Sequence, residues 1–428
     1  MNRQVPLSRE LQEVVVDGFT HGGEGVARIE GKAVFVAGTL PGERVMVRVI
    51  DDRKRWARAE LVDVITPSED RVEPPCPYVG SCGGCDLQHA SPRAQRALKT
   101  RVVIEQLERL GGIQRPPVEP CRAVGPDLGY RNHAQFHAAD DGRLGFRRAG
   151  SHDVVPIDRC LVLADEVQHL RTEVGDSTGA SAVAMRAHSA PDGDHAHDTD
   201  QTSAAVVVTP GAGGLDLPEG KFDILLAQPG GNTVPLRGSG TLSISVAGLD
   251  LSYPADGFFQ VNASGAEALV AAVLEAVGDI SGALVWDLYA GVGLLSIPLA
   301  QAGGEVVAVE SHESAARHAD LNVDRHGVDI EVLALPTEKV TSGSLGSEGP
   351  DDPDVVVLDP PRAGAGPQVV NDLVRLSPAT IVYVACDVAA LARDARVLIE
   401  GGYRLISAVP LDLFPMTHHV EVVATFSR

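Results

Sequence analysis

The stretch Asp287-Leu288-Tyr289-Ala290-Gly291-Val292-Gly293 follows the apolar run ALVW and precedes a helical pattern, so it reads as a strand, a tight glycine turn and a helix start. Two glycines there let the backbone approach a ligand closely, which makes Gly291 and Gly293 candidate binding positions. The same alternation continues from about residue 258 to the end of the chain. Candidate strands are EVVAVE, DIEVLA, DVVVLD, TIVYVAC, RLISAVPLDL and HVEVVATF, with helical patterns in the gaps, including 369–376 and 389–400. Alternating βα units imply an α/β fold, a doubly wound sheet with ligands at the carboxyl ends of its strands. No helical pattern separates the last two strands, so one of them is expected to run antiparallel.

At 428 residues the chain is long enough for two or three domains. A hydrophobic fraction of 44% with 22% charged residues is ordinary globular composition, and no apolar run approaches the roughly 18–20 residues of a membrane span. Glu10, Gln12, Glu13 and Asp17 interrupt the N-terminal region, so no signal-peptide segment is expected and the protein is read as cytoplasmic and without membrane contact. The formal charge of −22 is uneven. Residues 1–150 hold 22 of the 36 Lys and Arg against 20 of the 58 acids, a balance of +2, whereas residues 151–428 carry −24. Any grip on a polyanion must therefore come from the first third and from local patches.

Residues 11–64 contain five short Val-rich runs punctuated by Gly22-Gly23 and Pro41-Gly42, the pattern of a small closed, OB-like β-barrel. Arg44, Arg48, Arg53, Lys54, Arg55 and Arg58 form a candidate basic edge with Trp56 as a stacking surface; a solvated strand face with a core tryptophan reads equally well. A Pro-, Gly- and Cys-rich loop over 66–90 leads into a helix at about 92–110. Strand-like segments follow, and 175–201, rich in Ser, Asp, His and Gly, reads as a mobile insertion in which His188, His195 and His197 are more plausible as hydrated loop residues than as metal ligands. The division is a barrel at 1–66, a central α+β domain at 67–255, and the α/β domain at 256–428.

Glu310 ends the next strand, 17 residues beyond Gly293, where a carboxylate can take ribose hydroxyls. No basic cluster meets the glycine loop to neutralise a pyrophosphate, which favours S-adenosylmethionine over NAD or ATP. Strand DVVVLD delivers Asp359 to the same rim, followed by Pro360, Pro361 and Arg362, and strand TIVYVAC delivers Cys386. His418, His419 and Glu421 can approach from the last strand. A thiol, a carboxylate and a methyl-donor pocket suit methylation of a pyrimidine at C5: thiolate addition at C6 makes C5 nucleophilic, and a base then removes the C5 proton. Cys386 is the candidate nucleophile and Glu421 the candidate base; Asp387, beside the thiol, works against its ionisation.

Cys76, Cys82 and Cys85, with Gly83-Gly84 between the last two, give three thiolates in ten residues and point to a metal site. The fourth ligand is Cys160 or Cys121, and spacing does not separate zinc from an iron–sulfur cluster.

Taken together, these residues resemble the RNA uracil-5 methyltransferases of the bacterial 23S ribosomal RNA type, over nearly the whole chain. The barrel resembles a TRAM domain, PCPYVGSCGGCDLQH the cluster motif, DGFFQVN, DLYAGVG and DPPRAG the cofactor region, YVACDVAALARD the nucleophile motif and FPMTHHVE the base motif. The resemblance implies a class I, Rossmann-like methyltransferase domain. It assigns Gln260, Tyr289, Glu310 and Asp359 to S-adenosylmethionine and Cys76, Cys82, Cys85 and Cys160 to a four-iron four-sulfur cluster, leaving Cys121 a bystander. Arg131, Arg362 and His419 are expected to meet the RNA, with rRNA favoured over tRNA and the protein acting as a monomer. Two positions depart from the family pattern: Leu294 replaces an asparagine, and Asp387-Val388 replaces Asn-Pro. An amino-methylating enzyme is disfavoured because Arg362 follows the two prolines where an aromatic residue would stack an adenine. A noncatalytic, redox-sensing RNA scaffold is the competing class, and it has no use for Cys386 and Glu421 at one rim.

Overall fold

The computed structural model describes residues 7, 10–176, 179–189, 202–211, 214–345 and 349–428. Strands β1 (Leu11–Phe19), β2 (Glu24–Ile29), β3 (Lys32–Ala37), β4 (Arg44–Asp52) and β5 (Trp56–Thr66) close into a barrel in the order β1-β2-β3-β5-β4. Its sequence dictates this by period-two alternation: Val45, Val47 and Val49 point inward while Arg44 and Arg48 point out. The basic edge is largely paired. Arg44 meets Glu13, Arg48 meets Glu60 at 3.1 Å, Arg53 meets Asp51 at 2.8 Å, and Arg58 meets Glu24 at 3.0 Å while covering Trp56.

Helix α1 (Pro92–Arg109) starts where Ser91 accepts the Ala94 N–H and Pro92 occupies the first turn. It packs against the α/β domain, burying Val103 and Leu107 in that core, and β6 (Arg122–Ala123) adds to the edge of the same sheet.

The central sheet contains β7 (His133–Ala138), β8 (Leu144–Arg147), β9 (Val154–Pro156), then, after helix α2 (Asp165–Val174), β10 (Ala180–Ala187), β11 (Ala204–Pro210), β12 (Asp223–Ala227) and β13 (Thr233–Arg237), in the order β13-β12-β11-β10-β7-β8-β9. This corrects the reading of 175–201 as one mobile insertion. Residues 180–187 form a middle strand whose Val183 and Met185 are fully buried; the run ASAVAMRA lacks the β-branched density of a strand, and pairing on both sides overrides its weak propensity. His195 and His197 lie outside the described residues. His188 is buried and bonds the Tyr253 hydroxyl at 3.0 Å, so its ring is used in packing.

A hairpin, β14 (Thr241–Val246) and β15 (Leu249–Pro254), and helix α3 (Ala263–Val277) lead into the last sheet. Its elements are β16 (Leu284–Leu288), α4 (Ser296–Gln301), β17 (Glu305–Val309), α5 (Glu313–His326), β18 (Ile330–Leu333), α6 (Thr337–Thr341), β19 (Val355–Leu358), α7 (Gly366–Leu376), β20 (Thr380–Ala385), α8 (Val388–Glu400), β21 (Arg404–Asp412) and β22 (Glu421–Ser427). The strand order is β18-β17-β16-β19-β20-β22-β21-β6. Strands β16 to β20 are mutually parallel, whereas β22 runs antiparallel between β20 and β21, as the missing connecting helix requires. Strand order reverses between β16 and β19, and a crevice opens there at the carboxyl ends. Among the described residues no helix is long and apolar enough to cross a membrane.

Candidate active site

The glycine loop is shaped by backbone geometry. Tyr289 and Gly291 adopt φ of +65° and +59°, and Gly291 then donates its N–H to Glu310 Oε2 at 2.9 Å. Glu310 also accepts the His312 N–H at 2.6 Å, so one carboxylate ties the first two βα turns together. Asp287, buried in β16, accepts the Ser296 hydroxyl at 2.5 Å, and burial pushes its carboxyl up to about 7.

Cys386 stands at the end of β20. Ala385 is paired with Val422 across the β20/β22 ladder, so the next step brings Cys386 beside Glu421. Both line a cavity of about 1040 Å³ together with Gln260, Tyr289, Gly291, Glu310, Asp359, Arg362, His419 and Arg131. Neither Gly293 nor His418 lines it; the His418 backbone N–H donates to Asp86 at 2.8 Å and its ring also bonds that carboxylate. Leu294, the apolar departure, is buried in the cavity wall.

Electrostatically this is a crevice of uncompensated acids. Burial raises Glu421 well above the usual carboxylate range, the charge of Asp359 adds to the effect, and Arg362 opposes it. One Glu421 oxygen is buried without a hydrogen-bond partner among the described residues. Burial and the neighbouring Asp287 push Asp359 up to about 7. Burial, Glu421 and Asp359 push the Cys386 thiol up to about 12, and Arg362 is the cation that pulls it down. Burial and the adjacent His418 hold His419 down at about 4, leaving a neutral imidazole at the cavity wall.

The loop of Asp359, Pro360, Pro361 and Arg362 is braced by the last residue of the stretch YVACDVAALARD, for which the sequence suggests no role. Asp394 on α8 is buried and accepts from the Tyr383 hydroxyl at 2.7 Å and the Ala365 N–H at 2.9 Å. Gly364 must be glycine here: its φ is +89°, and a Cβ would sit 2.7 Å from Asp394 Oδ2. A carboxylate on the apolar face of the helix after Cys386 was the available signal. Phe258 is a second addition; it is 73% exposed at the cavity, while its neighbour Phe259 is buried and stacks on Tyr253 at 4.7 Å. Two adjacent phenylalanines in the sequence do not reveal which one faces out.

Cys76, Cys82, Cys85 and Cys160 line the far wall of the same cavity. They are half-buried free thiols close enough to raise one another, and Cys85 is pushed up to about 12 by burial and then by the neighbouring thiols. Among the described residues no three His, Cys, Asp or Glu side chains are grouped to hold a single metal ion. Cys121 is buried in the hydrophobic core beside Val103 and Leu107, away from the other four.

Comparison with known proteins agrees with this arrangement. The TRAM domain family matches residues 7–62, and the tRNA (Uracil-5-)-methyltransferase family matches residues 239–428. An uncharacterized RNA methyltransferase of Streptomyces coelicolor is 38% identical, with 99% of this chain and 94% of the relative covered. A 23S rRNA (uracil(1939)-C(5))-methyltransferase of Aeromonas salmonicida is 34% identical over 97% of this chain and 96% of its own. The crystal structure of Pyrococcus abyssi tRNA (uracil-54, C5)-methyltransferase with S-adenosyl-L-homocysteine superposes with a TM-score of 0.71 at 27% identity, covering 97% of this chain and 99% of that one. A barrel, a methyl-donor crevice and full-length likeness to enzymes of one chemistry converge: the chain belongs to the RNA uracil-5 methyltransferase family, which methylates uracil C5 in RNA with S-adenosylmethionine.

Proposed function

We propose that this protein methylates C5 of a uridine in 23S rRNA through a covalent adduct between Cys386 and C6 of the base, with Glu421 removing the C5 proton. The observation that carries the reading is the position of Cys386 beside Glu421 on adjacent antiparallel strands, both facing one cavity. Cys386 adds to C6, and the displaced π electrons make C5 a nucleophile; C5 takes the methyl group, Glu421 accepts the C5 proton, and the C6–S bond breaks to restore the ring. S-adenosylmethionine supplies the electrophilic methyl and a sulfonium cation when bound. Gln260, Tyr289, Gly291, Glu310 and Asp359 are the residues that would hold it. Arg362 favours the thiolate, and the neutral His419 imidazole can hydrogen-bond the base without competing with Arg362 as a cation.

Cys76, Cys82, Cys85 and Cys160 would hold a four-iron four-sulfur cluster. Four mutually close thiols without a carboxylate in the set fit such a group by donor chemistry, and it would cross-link the loop at 76–88 to the segment around 160. Iron and sulfide analysis of anaerobically purified protein tests this; a colourless zinc protein would overturn it.

The 23S rRNA target rests on the Aeromonas salmonicida relative, whose 34% identity spans both chains; the archaeal likeness makes tRNA the second reading. RNA containing 5-fluorouridine should trap the wild-type protein covalently, and Cys386→Ala should leave no adduct. Mapping 5-methyluridine in rRNA and tRNA with and without the gene decides between the substrates.

A further inference from the structure

The turn joining β1 and β2 leaves the barrel and touches the α/β domain beside both reactive groups. His21 Nε2 lies 3.3 Å from Oδ2 of Asp387, the residue that follows Cys386. On its other side the His21 ring meets His418 edge-on, with centroids 6.5 Å apart, and His418 stands three residues before Glu421. Two residues along, Gly23 completes a close fit: its φ is +81°, and a Cβ there would come within 3.0 Å of His418 Cβ and 3.1 Å of Asp86 Oδ2. The turn therefore rests on both loops, through the His21 side chain and through backbone at Gly23, where the positive φ and the close neighbours favour glycine.

Asp387 explains what this contact does. A carboxylate next to a thiol that must ionise is a liability if it faces the thiol. Here Oδ1 accepts the Ala390 N–H at 2.7 Å as the N-cap of α8, and Oδ2 is taken by His21. With both oxygens occupied, Asp387 stays out of the cavity wall and Cys386 is left facing it. The helix cap comes from the α/β domain itself, whereas the second contact comes from the barrel. His21 is mostly covered, with 31% of its side chain exposed, and its Nδ1 is buried without a partner among the described residues, so the Asp387 contact is its polar anchor.

We propose that His21 is a positioning residue for the nucleophile: by holding Asp387 it sets the loop that carries Cys386, so the barrel takes part in the chemical step as well as in gripping RNA. This rests on Cys386 being the nucleophile. A misplacement of the sulfur by about 1 Å is enough to slow bond formation by as much as ~100-fold, so a single second-layer contact has leverage here.

The test is the rate of covalent adduct formation with a 5-fluorouridine-containing 23S rRNA fragment, at saturating RNA and S-adenosylmethionine. His21→Ala is expected to slow that step roughly 10- to 100-fold while RNA dissociation constant, cofactor affinity and melting temperature stay within about two-fold or a few degrees of wild type. His21→Gln, whose amide N–H can reach Asp387, should recover most of the rate, and in an Asp387→Ala background His21→Ala should cost nothing further. Weaker RNA binding at an unchanged saturated rate, equal slowing by Ala and Gln, or multiplying losses in the double variant would each overturn the proposal. If His21→Ala fails to fold, His21→Gln and His21→Glu decide instead, because they match in size and only the latter repels Asp387; equal rates refute the role. Wild-type protein that forms no adduct defeats the nucleophile reading, whereas wild type that reacts and a His21→Ala that matches it defeat only this one.

Discussion

The carboxyl-end rim of the last sheet and the outer edge of the barrel both carry dense charge, yet they hold it in opposite ways. On the rim, Asp287, Asp359 and Glu421 are desolvated acids shifted upward, and Glu421 and Asp287 each keep a buried oxygen without a partner among the described residues. On the barrel, Arg44, Arg48, Arg53 and Arg58 are exposed and each faces a carboxylate. Burying an acid unpaired costs free energy that the fold must recover elsewhere, and a site that keeps several is built for a reaction or a cation. Exposed pairs contribute little to stability and are readily exchanged for phosphate. The difference separates a place suited to chemistry from a place suited to a polyanion.

The largest effect should come from Glu421→Gln, which keeps the shape of the rim group and removes its basicity. Turnover is expected to fall by roughly 10²–10⁴-fold with cofactor affinity retained, and a covalent protein–RNA band should persist on denaturing gels. A loss below about ten-fold would mean that the buried acid is not the base, and the contrast between the regions would lose its meaning. Next comes Asp394→Ala, which leaves the buried Tyr383 O–H without its acceptor while the Ala365 N–H keeps the Tyr383 oxygen as a partner; a loss of about 1–3 kcal/mol in denaturant unfolding is expected.

The pH dependence of stability sharpens the comparison further. Burial pushes Asp287 and Asp359 up to about 7, above the ordinary 3.8 of the unfolded chain, so the native state is expected to bind more protons between those values. Their favourable contribution is therefore fully present below about pH 4 and is lost as pH rises through 7. Cofactor-free protein should melt at lower temperature at pH 8 than at pH 6, and Asp359→Asn should flatten that slope; a wild-type melting temperature that rises over this interval would contradict the desolvated-acid description. The barrel should behave in the opposite manner. Reversing Arg53 and Arg55 to Glu should change stability by no more than about 1 kcal/mol while weakening RNA binding in a salt-dependent way, with cofactor affinity unchanged. Equal loss of cofactor binding would show that the two regions are not separate in function.

Much of the fold was legible because it repeats a simple period. Strands β16 to β22 appear where their short Val- and Ile-rich runs placed them, whereas the two-residue β6 at the edge of the same sheet has no pattern to read. The barrel is read from inward valines at every second position. Strand β10 was not legible: Ala180–Ala187 has little intrinsic strand preference, and its place between β7 and β11 is imposed by pairing partners 17 to 53 residues away, from Ala187↔Ala204 to Arg186↔His133. At the site, chemistry-bearing residue types at strand ends were visible as such, including Cys386, Glu421 and Asp359. The brace at Asp394 and the contact from His21 were not: Asp394 ends the quoted stretch YVACDVAALARD and His21 lies outside every quoted motif, and what each does depends on partners brought close only by the fold.

Residue type and strand position by themselves determined which groups could react, since a thiol, a carboxylate and a glycine turn keep their chemistry wherever the chain takes them. Only the tertiary structure decided how those groups are tuned. The antiparallel insertion of β22 sets Glu421 next to Cys386, burial raises both, and a histidine 366 residues away in sequence occupies Asp387. Protonation and aim depend on desolvation and on contacts between distant segments, and these quantities exist only once the chain has closed on itself.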